Sequence, residues 1–458
     1  MKKIQIKNAN LHNLKNISVD IPLDKFVVVV GASGSGKTSL IYDVLYGASQ
    51  GSEMDCFVSE TPTIYAIGQK VSLPKSSTLS LGQYNLKRLK ELVKKVKKGE
   101  LLIVDEPCAG YIVSESLMIL KILKGLVKRG ISVIVIEHAK EIIKNADYII
   151  EFGPEAGKYG GEIVFEGSLS KFKKTDSRTS KIVFSDLIKD SGKGKLSKER
   201  KITIEKINKH NLKNFDVTFP INSLDCLCGK SGSGKTTLLQ LIYSSLYKGK
   251  NAWKIREKTK VYKSLKGKEN VRRTYFVEQT SIVNNSNSTL ATYLKIGQNI
   301  RQLYADLPKS KKLGLSKSDF ITSKLQSKVL SIKYKKFNIK EVLNLTVDEA
   351  LNIFTSEALI KRKLLFLQTV GLGYLVLGQQ AGSLSGGEAQ RIRLAKVLTK
   401  KLGDRCVYLL DVPTRGLHLS DLPVLLKVFK MIIDKNNTIV IADNKMELIG
   451  NSDCVIKL

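Results

Sequence analysis

The sequence predicts an α/β fold built from two copies of one domain in tandem. Three observations support this prediction: repeated motifs, glycine-rich loops that follow apolar strands, and apolar strands that end in carboxylates. The string His12–Asn16 (HNLKN) recurs at His210–Asn214, and the octamer Gly31–Thr38 recurs at Gly229–Thr236. Both pairs are 198 residues apart. Two homologous domains therefore begin near residues 1 and 201.

Each octamer fits the phosphate-loop pattern GxxxxGK[ST] and has the context that the pattern requires. The apolar run Phe26–Val30 precedes the first octamer, and the helical run Ser39–Leu45 follows it. Backbone N–H groups of such a loop converge on phosphates, the lysine reaches the β- and γ-phosphates, and the hydroxyl binds Mg²⁺. The predicted nucleotide-binding residues of the two loops are Gly31, Ser33, Gly34, Ser35, Gly36, Lys37 and Thr38, and Gly229, Ser231, Gly232, Ser233, Gly234, Lys235 and Thr236.

Apolar runs that end in an acid follow both loops. Leu101–Val104 leads into Asp105, and Val407–Leu410 leads into Asp411. A buried parallel strand delivers such a carboxylate to the carboxyl edge of its sheet, where ligands bind. Asp105 and Asp411 are therefore predicted to hold Mg²⁺ together with the threonine that ends each loop. A further strand-like run, Ile131–Ile136, places His138 at its exit, and we interpret this histidine as a γ-phosphate contact.

A third element, Leu384–Arg391 (LSGGEAQR), precedes a run compatible with a helix, Ile392–Leu398. A serine and two glycines at a helix N-terminus form a second phosphate-binding nest. Together with the other motifs, this element resembles the ATP-binding cassette (ABC) ATPases, in which the phosphate loop of one domain and the LSGGE signature of the other enclose ATP. The resemblance implies two ABC-type nucleotide-binding domains and adds to the ATP-binding residues Ser385, Gly386, Gly387 and Glu388.

Departures from the cassette pattern fall on one of the two composite sites. Val412 stands where Glu106 stands in the first repeat, and Asn444 stands where His138 stands. The first-repeat equivalent of the signature, Leu79–Gln83, has a leucine in place of the first glycine. A valine cannot polarise water, and loss of a general base costs roughly 10²–10⁴-fold in rate. We therefore expect one hydrolytic site, at the first phosphate loop, and one site that mainly binds nucleotide.

The resemblance implies roles for the residues of the hydrolytic site. Glu106 polarises the attacking water, and His138 with the second signature stabilises charge on the γ-phosphate. Gln69 links the metal to the neighbouring helical region and is the third expected catalytic residue. Gln279 is added to the ATP-binding residues of the second repeat.

The details resemble the UvrA family, the damage-sensing subunit of the bacterial excinuclease. Besides HNLKN, the resemblance is carried by Leu384–Ala395 (LSGGEAQRIRLA), Gly416–His418 (GLH) and Phe152–Glu162, which closes the first repeat. It covers nearly the whole chain. It implies an ATPase that uses ATP and Mg²⁺, with double-stranded DNA as a partner and a role in DNA repair.

The chain also departs from that family, whose members carry CxxC zinc modules and a docking domain for UvrB. Only about ten residues separate Gln69 from Leu79, and Lys317–Lys333, where a zinc hairpin would lie, contains no cysteine. We expect a minimal UvrA-like paralog without zinc and without the standard UvrB docking. Pairing of two chains into a homodimer stays open.

The repeats and the composition suggest a division into domains. We expect a first ABC domain at 1–168 stripped of insertions, a basic linker at 169–200, and a second ABC domain at 201–458. The second domain is expected to contain a small helical signature subdomain at about 281–400.

The net charge of +34 favours a polyanionic partner, because clustered Lys and Arg release counterions from a phosphate backbone. Only 13 of the 76 basic residues are arginines, so a lysine-rich genome bias competes with this interpretation. The excess is clustered, however, in segments 168–210, 245–275 and 305–340. Segment 245–275 interleaves Trp253, Tyr262 and Tyr275 with lysines, either for stacking on bases or as inward-packed rings.

Neither a membrane span nor a signal peptide is evident, so we expect a cytoplasmic protein with no membrane partner. Its six cysteines match no disulfide or CxxC pattern and are expected to be reduced thiols. The leading hypothesis is an ATPase that grips or releases DNA. The alternative is a ribosome-associated or antibiotic self-protection ABC protein, and an exporter ATPase is disfavoured by the HNLKN and GLH motifs.

Overall fold

The computed structural model describes residues 2–68, 81–184, 200–248, 261–277, 288–321, 325–384, 386–399, 403–415, 417 and 419–458. The chain divides into two compact units. The first joins Met1–Glu278 to Gly403–Leu458 and contains both phosphate loops, and the second is Gln279–Leu402. In the described residues, no helix is long and apolar enough to cross a membrane.

Two sheets with matching strand orders form the centre of the first unit. One has the order β5-β6-β7-β3-β8-β9 and the other β14-β15-β16-β12-β17, so the repeat seen in the sequence is a repeat of topology. Neighbouring strands are parallel except for the β8–β9 pair. Two small sheets, β2-β1-β4 and β11-β10-β13, lie at equivalent places in the two halves.

The strands are β1 Lys3–Ala9, β2 Ile17–Pro22, β3 Phe26–Gly31, β4 Phe57–Val58, β5 Ile64–Ile67, β6 Leu101–Asp105, β7 Ser132–Ile136, β8 Tyr148–Gly153, β9 Glu162–Ser168, β10 Lys201–Lys209, β11 Leu212–Pro220, β12 Leu224–Cys228, β13 Ser264–Lys266, β14 Arg273–Val277, β15 Cys406–Asp411, β16 Thr438–Ala442 and β17 Cys454–Lys457. The helices of the first unit are Ser39–Tyr46, Gly47–Ser49, Leu81–Val93, Val113–Lys128, Lys140–Ile143, Gly157–Tyr159, Leu169–Phe172, Arg178–Phe184, Lys235–Leu246, Lys268–Asn270, Leu419–Asp421, Leu422–Ile433 and Met446–Gly450. We call the halves around the two sheets the first and the second cassette.

Central strands of both sheets are apolar along their whole length because both faces are covered. Every residue of β3 and of β15 is buried. On one face of the first sheet, Val27 and Val29 pack with Leu40 and Val44 of helix Ser39–Tyr46. On the other face, Val28 and other residues of the strands pack against the helices that follow β5 and β6. Such two-sided burial is typical of parallel sheets and aligns all the strand ends at one edge.

The HNLKN motif anchors each phosphate loop from outside. The Asn13 side-chain amide donates to the carbonyl oxygens of Gly34 (3.1 Å) and Gly157 (3.3 Å). In the second cassette, Asn211 donates to Gly232 at 2.7 Å. The histidine and the final asparagine of both copies adopt positive φ, between 49° and 57°, a conformation that asparagine and histidine tolerate better than most residues. The motif thus has the same structural task in both cassettes.

The prediction that residues 169–200 form a linker is wrong for the first half of this segment. Residues Leu169–Phe172 and Arg178–Phe184 are helices, and Phe172 and Val183 are buried in the core of the first cassette. The Phe172 ring lies 5.1 Å from that of Phe165, measured between ring centroids. Lysines and serines around these apolar residues conceal their pattern in the sequence. Residues 185–199 lie outside the described part of the chain.

The second unit is built from helices around an aromatic centre. Tyr304 packs against Phe320 and Tyr334, and Tyr334 stacks on Phe354 at 5.7 Å between centroids. Its lysines in 305–340 are solvent-exposed wherever the structure describes them. The helices are Leu290–Tyr293, Ile296–Asp306, Pro308–Lys312, Lys317–Phe320, Ser327–Leu330, Ile339–Leu343, Val347–Ile353, Ala358–Thr369, Ala381–Ser383 and Gly386–Thr399.

The burial of Phe172 generates a test of the corrected boundary. Phe172→Ala is expected to lower the free energy of unfolding by about 3–5 kcal/mol, because it opens a cavity in the first core. Phe57→Ala, at an exposed phenylalanine of the same cassette, is the matched control and should cost less than about 1 kcal/mol. Urea unfolding followed by circular dichroism measures both. Equal losses would mean that residues 169–184 do not belong to the folded cassette.

Candidate nucleotide site

The two phosphate loops connect β3 to helix Ser39–Tyr46 and β12 to helix Lys235–Leu246. Lys37 Nζ donates to the carbonyl oxygens of Gly31 (2.8 Å) and Ala32 (2.7 Å), so the loop is wrapped around its own lysine. Lys235 contacts Gly229 and Lys230 in the same manner. At Gly31, with φ of 136°, a Cβ would lie 2.4 Å from the Phe152 carbonyl oxygen, which requires glycine there.

Asp105 and Asp411 end β6 and β15 next to the phosphate loops. Thr236 Oγ1 donates to Asp411 Oδ2 at 2.9 Å, so the two predicted magnesium ligands of the second cassette are together. In the first cassette, burial raises the pKa of Asp105, and Glu106 raises it further, while Lys37 opposes the shift. A buried carboxylate beside a second carboxylate is a set of hard oxygen donors that a divalent cation would neutralise.

Glu106 and Val412 have the same unusual backbone conformation. Their φ angles are 47° and 45°, and their N–H groups donate to the carbonyl oxygens of Ile136 (2.8 Å) and Ala442 (2.9 Å). The Glu106 side chain is buried, and its Oε2 has no hydrogen-bond partner among the described residues. This oxygen is available to a ligand. Val412 presents only methyl groups from an equivalent backbone position.

Two buried acids that sequence reasoning missed hold these turns in place. Glu137 accepts hydrogen bonds from the backbone N–H groups of Cys108 (2.9 Å), His138 (2.7 Å) and Ala139 (3.2 Å). Burial raises the pKa of Glu137, and these hydrogen bonds oppose that shift. Its equivalent, 306 residues later, is Asp443. The signal in the sequence was an acid directly before both His138 and Asn444, at the same offset of 306 residues that separates Asp105 from Asp411.

Asp443 makes the corresponding contacts in the second cassette. Its carboxylate accepts from Thr414, through the backbone N–H at 3.2 Å and the hydroxyl at 2.6 Å, and from the N–H groups of Asn444 (2.7 Å) and Lys445 (3.1 Å). In each cassette, therefore, a buried acid joins the loop after the magnesium acid to the strand that carries His138 or Asn444.

Asn444 connects the two cassettes at the second phosphate loop. Its Oδ1 accepts the N–H of Gly229 at 3.0 Å, and its Nδ2 donates to the carbonyl oxygen of Gly110 in the first cassette at 2.9 Å. Glu115 of the first cassette accepts the N–H of Ser231 at 3.1 Å. The second phosphate loop is therefore contacted by Asn444 from its own cassette and by Glu115 from helix Val113–Lys128 of the first cassette.

The remnant of the first signature lies against the same loop. A Cβ on Gly82 would be 2.8 Å from Ser231 Oγ, and a Cβ on Gly232 would be 2.6 Å from Gln83 Nε2. The Tyr111 hydroxyl donates to the Gly82 carbonyl oxygen. The second phosphate loop is therefore closed over by the first cassette, which is the composite arrangement that ABC domains predict. The side chain of Leu81 lies outside the described part.

Some predicted residues cannot be placed in this site. Gln69, Gln279 and Ser385 lie outside the described residues. Gly386, Gly387 and Glu388 begin helix Gly386–Thr399 in the second unit, and Glu388 accepts a hydrogen bond from the Tyr374 hydroxyl at 2.6 Å. Within the described residues, no three His, Cys, Asp or Glu side chains are grouped so that they could hold a metal ion.

Residues 212–415 match the family model described as ABC transporter. The chain is 36% identical to the UvrABC system protein A of Aquifex aeolicus over 434 residues, which covers 85% of the chain and 46% of that relative. For the UvrABC system protein A of Helicobacter pylori, the identity is 32%, with 83% and 45% covered. The chain is a UvrA-like ABC protein. It spans about half the length of the curated relatives it matches.

Solved structures support the fold of this UvrA-like chain. UvrA2 from Deinococcus radiodurans matches with a TM-score of 0.85 at 21% identity, covering 99% of this chain and 95% of that one. The RNase-L inhibitor matches at a TM-score of 0.51 and 16% identity, covering 99% and 87%. The predicted α/β fold with two tandem ABC domains is thus confirmed, and the TM-score to UvrA2 is much higher than that to the RNase-L inhibitor.

The positive φ of Val412 predicts backbone strain at this residue, and this strain can be measured. A β-branched residue at positive φ costs roughly 1–2 kcal/mol relative to glycine. Val412→Gly should therefore lower the free energy of unfolding by about 1–2 kcal/mol less than Val407→Gly, which removes another buried valine from regular strand β15. Urea denaturation of the two variants measures this difference. Equal losses would show that Val412 is not strained.

Proposed function

We propose that the chain is an ATPase that binds DNA and couples ATP hydrolysis at one competent site to gripping or releasing DNA. The observation that carries the proposal is the asymmetry of the two catalytic turns. Glu106 presents a buried carboxylate oxygen without a partner, whereas Val412 presents methyl groups from the same backbone conformation. The two turns share one backbone conformation, but only the first carries a carboxylate. This difference favours one hydrolytic site and one site that only binds nucleotide.

The first cassette has the residues that ATP and Mg²⁺ require. Lys37 and the amides of its loop would bind the phosphates, and Thr38 and Asp105 would hold Mg²⁺, which neutralises phosphate charge when bound. Glu106 would orient and deprotonate water, and His138, buried one strand away, would face the developing charge. The family resemblance implies that Gln69, Ser385 and Gly387 also take part in hydrolysis.

The second cassette has residues for binding without turnover. Lys235, Thr236 and Asp411 retain the phosphate and magnesium positions. Asn444, which replaces the histidine, uses both ends of its amide for Gly229 and Gly110. The Asn444 side chain therefore connects the two cassettes. Because Val412 has no carboxylate, the second site has no base that could deprotonate water.

The hydrolytic assignment is tested by Glu106→Gln. This change keeps the shape of the side chain and removes its basicity, so turnover is expected to fall by at least about 100-fold while ATP affinity stays within about twofold. Steady-state ATPase assays and titration with a fluorescent ATP analogue measure the two quantities. Val412→Ala is the matched control, and its turnover should equal that of the parent chain. Turnover that survives Glu106→Gln would remove Glu106 from the mechanism.

DNA is the partner that the charge and the relatives favour. In the described part of 305–340, nine lysines are exposed on the second unit, against acidic residues Asp306 and Asp319. Such a lysine-rich surface suits contacts with a phosphate backbone. In segment 245–275, by contrast, Tyr262 packs on the second core and Tyr275 stacks on Tyr408 at 5.1 Å, so these two rings are packed inward. Trp253 lies outside the described residues.

A ribosome-associated function is the second candidate. Its support is the likeness to ribosome-bound ABCE1 in complex with Pelota, with a TM-score of 0.53. The higher similarity to UvrA-type structures favours DNA and, through the relatives named UvrABC system protein A, a role in excision repair. Duplex-stimulated ATPase activity supports DNA, whereas co-sedimentation with ribosomes without stimulation by DNA supports the alternative. Size measurement in solution with and without ATP tests for a homodimer.

The basic surface of the second unit generates a direct test of DNA binding. Replacing Lys311 and Lys312 with glutamate should weaken binding to a fluorescein-labelled duplex by at least about tenfold and reduce the slope of log affinity against log salt by about 1–2. Fluorescence anisotropy over a range of salt concentrations measures both. The matched control replaces Lys427 and Lys430, which are exposed on helix Leu422–Ile433, with glutamate. Equal effects of the two pairs would argue for non-specific attraction only.

A further inference from the structure

A cavity of about 260 Å³ lies between the two cassettes of the first unit. Its lining includes Glu106 and His138 from the first cassette and Arg415, Val412 and Asn444 from the second. The catalytic positions of both cassettes therefore share one cavity. The second cassette brings two cations to this lining: Lys445, whose Nζ donates to the carbonyl oxygen of Leu417 at 3.0 Å, and Arg415, which lies on the loop directly after Asp411.

Arg415 lies close enough to the first-cassette acids to interact with them electrostatically. Burial lowers the pKa of its guanidinium, and the carboxylates of Glu106 and Asp105 oppose this shift by favouring the charged form. Conversely, Arg415 lowers the pKa of Asp105. Within the described residues, the buried Nε of Arg415 and Oε2 of Glu106 both have no hydrogen-bond partner. An unpaired donor and an unpaired acceptor thus line the same cavity.

The arrangement is not repeated in the other direction. The residue of the first cassette that corresponds to Arg415, 306 positions earlier, is Ala109. It offers no charge to Val412. At this repeated position, therefore, only the second cassette has a cation, and the base position opposite it holds the Glu106 carboxylate, which matches the asymmetry of the two turns.

The loop that carries Arg415 is fixed by contacts to the second phosphate loop. Thr414, its neighbour, is held by Asp443 through two hydrogen bonds. Asp443 also accepts the N–H of Asn444, whose Oδ1 accepts the N–H of Gly229. A continuous series of hydrogen bonds thus runs from the second phosphate loop to the residue beside Arg415. Such a fixed loop can present a charge at a defined place.

We propose that Arg415 is a positioning residue, supplied by the second cassette, that orients the Glu106 carboxylate in the hydrolytic site of the first. The proposal rests on the proposed ATPase function. It gives the second cassette a task in hydrolysis although its own site lacks a base. Arg415 acts through Glu106 and makes no contact with nucleotide, so its removal affects turnover and spares ATP binding.

The test compares Arg415→Ala and Arg415→Lys with Arg405→Ala, which removes an exposed arginine from the same cassette. We expect Arg415→Ala to lower kcat by at least about tenfold and leave KM for ATP within about twofold. Arg415→Lys keeps the positive charge and should recover part of kcat. Arg405→Ala should match the parent chain. Titration with a fluorescent ATP analogue shows that each variant is folded and binds nucleotide.

Two results would overturn the proposal. One is a kcat for Arg415→Ala within about twofold of that for Arg405→Ala. The other is an increase of KM at unchanged kcat, which would make Arg415 a nucleotide contact. In both cases turnover that still depends on Glu106 would leave the proposed ATPase function intact. If Glu106→Gln instead kept the full turnover of the parent chain, the proposed function would be rejected, and with it this role of Arg415.

Discussion

The hydrogen bonds accepted by two buried carboxylates, Glu137 and Asp443, fix the catalytic turns of both cassettes. Each acid lies just after a central strand and accepts backbone N–H groups from its own segment and from the loop after the neighbouring strand. An ionised carboxylate that is fully buried is costly unless several donors surround it. These donors are the turn itself, so the acid and the turn stabilise each other. Glu106 and Val412, both at positive φ, each lie two residues before a donor of these bonds, and Arg415 directly follows one of them, Thr414.

The two cassettes therefore share one scaffold and differ in chemistry. Backbone geometry is the same at Glu106 and Val412, so replacement of the base has not been accompanied by a change of turn. Asn444 has instead taken on bonds to Gly229 and Gly110, which tie its phosphate loop to the first cassette. Because both ends of the Asn444 amide are bonded to backbone groups, this side chain is held in one position and is not free to turn toward a γ-phosphate. These two hydrogen bonds give Asn444 a structural role, which agrees with the proposal that the second site binds nucleotide without turnover.

Features set by local sequence could be predicted, and features set by distant contacts could not. The phosphate loops and Asp105 were found because glycine spacing and strand-end acids are determined within a few residues. Arg415 and Glu137 were missed because their neighbours lie on other strands or in the other cassette, hundreds of residues away in the case of Arg415 and Glu106. Folding of 169–184 was missed because Phe172 is buried by the tertiary structure and has no periodic partners of its own.

The cohesion of the two cassettes rests more on apolar contact than on charge. Leu419 of the second cassette is buried in the core of the first, and burial of a leucine is worth roughly 1.5–3 kcal/mol. The ion pair of Lys140 with Glu447, at 3.0 Å, also joins the cassettes; both side chains keep about a fifth of their surface exposed, and the cost of removing the two charges from water offsets much of their attraction. Leu419 belongs to the same loop region as Arg415. Separation of the cassettes would therefore remove both Leu419 and Arg415 from the first cassette, so the proposed hydrolytic site would be complete only while the second cassette is docked.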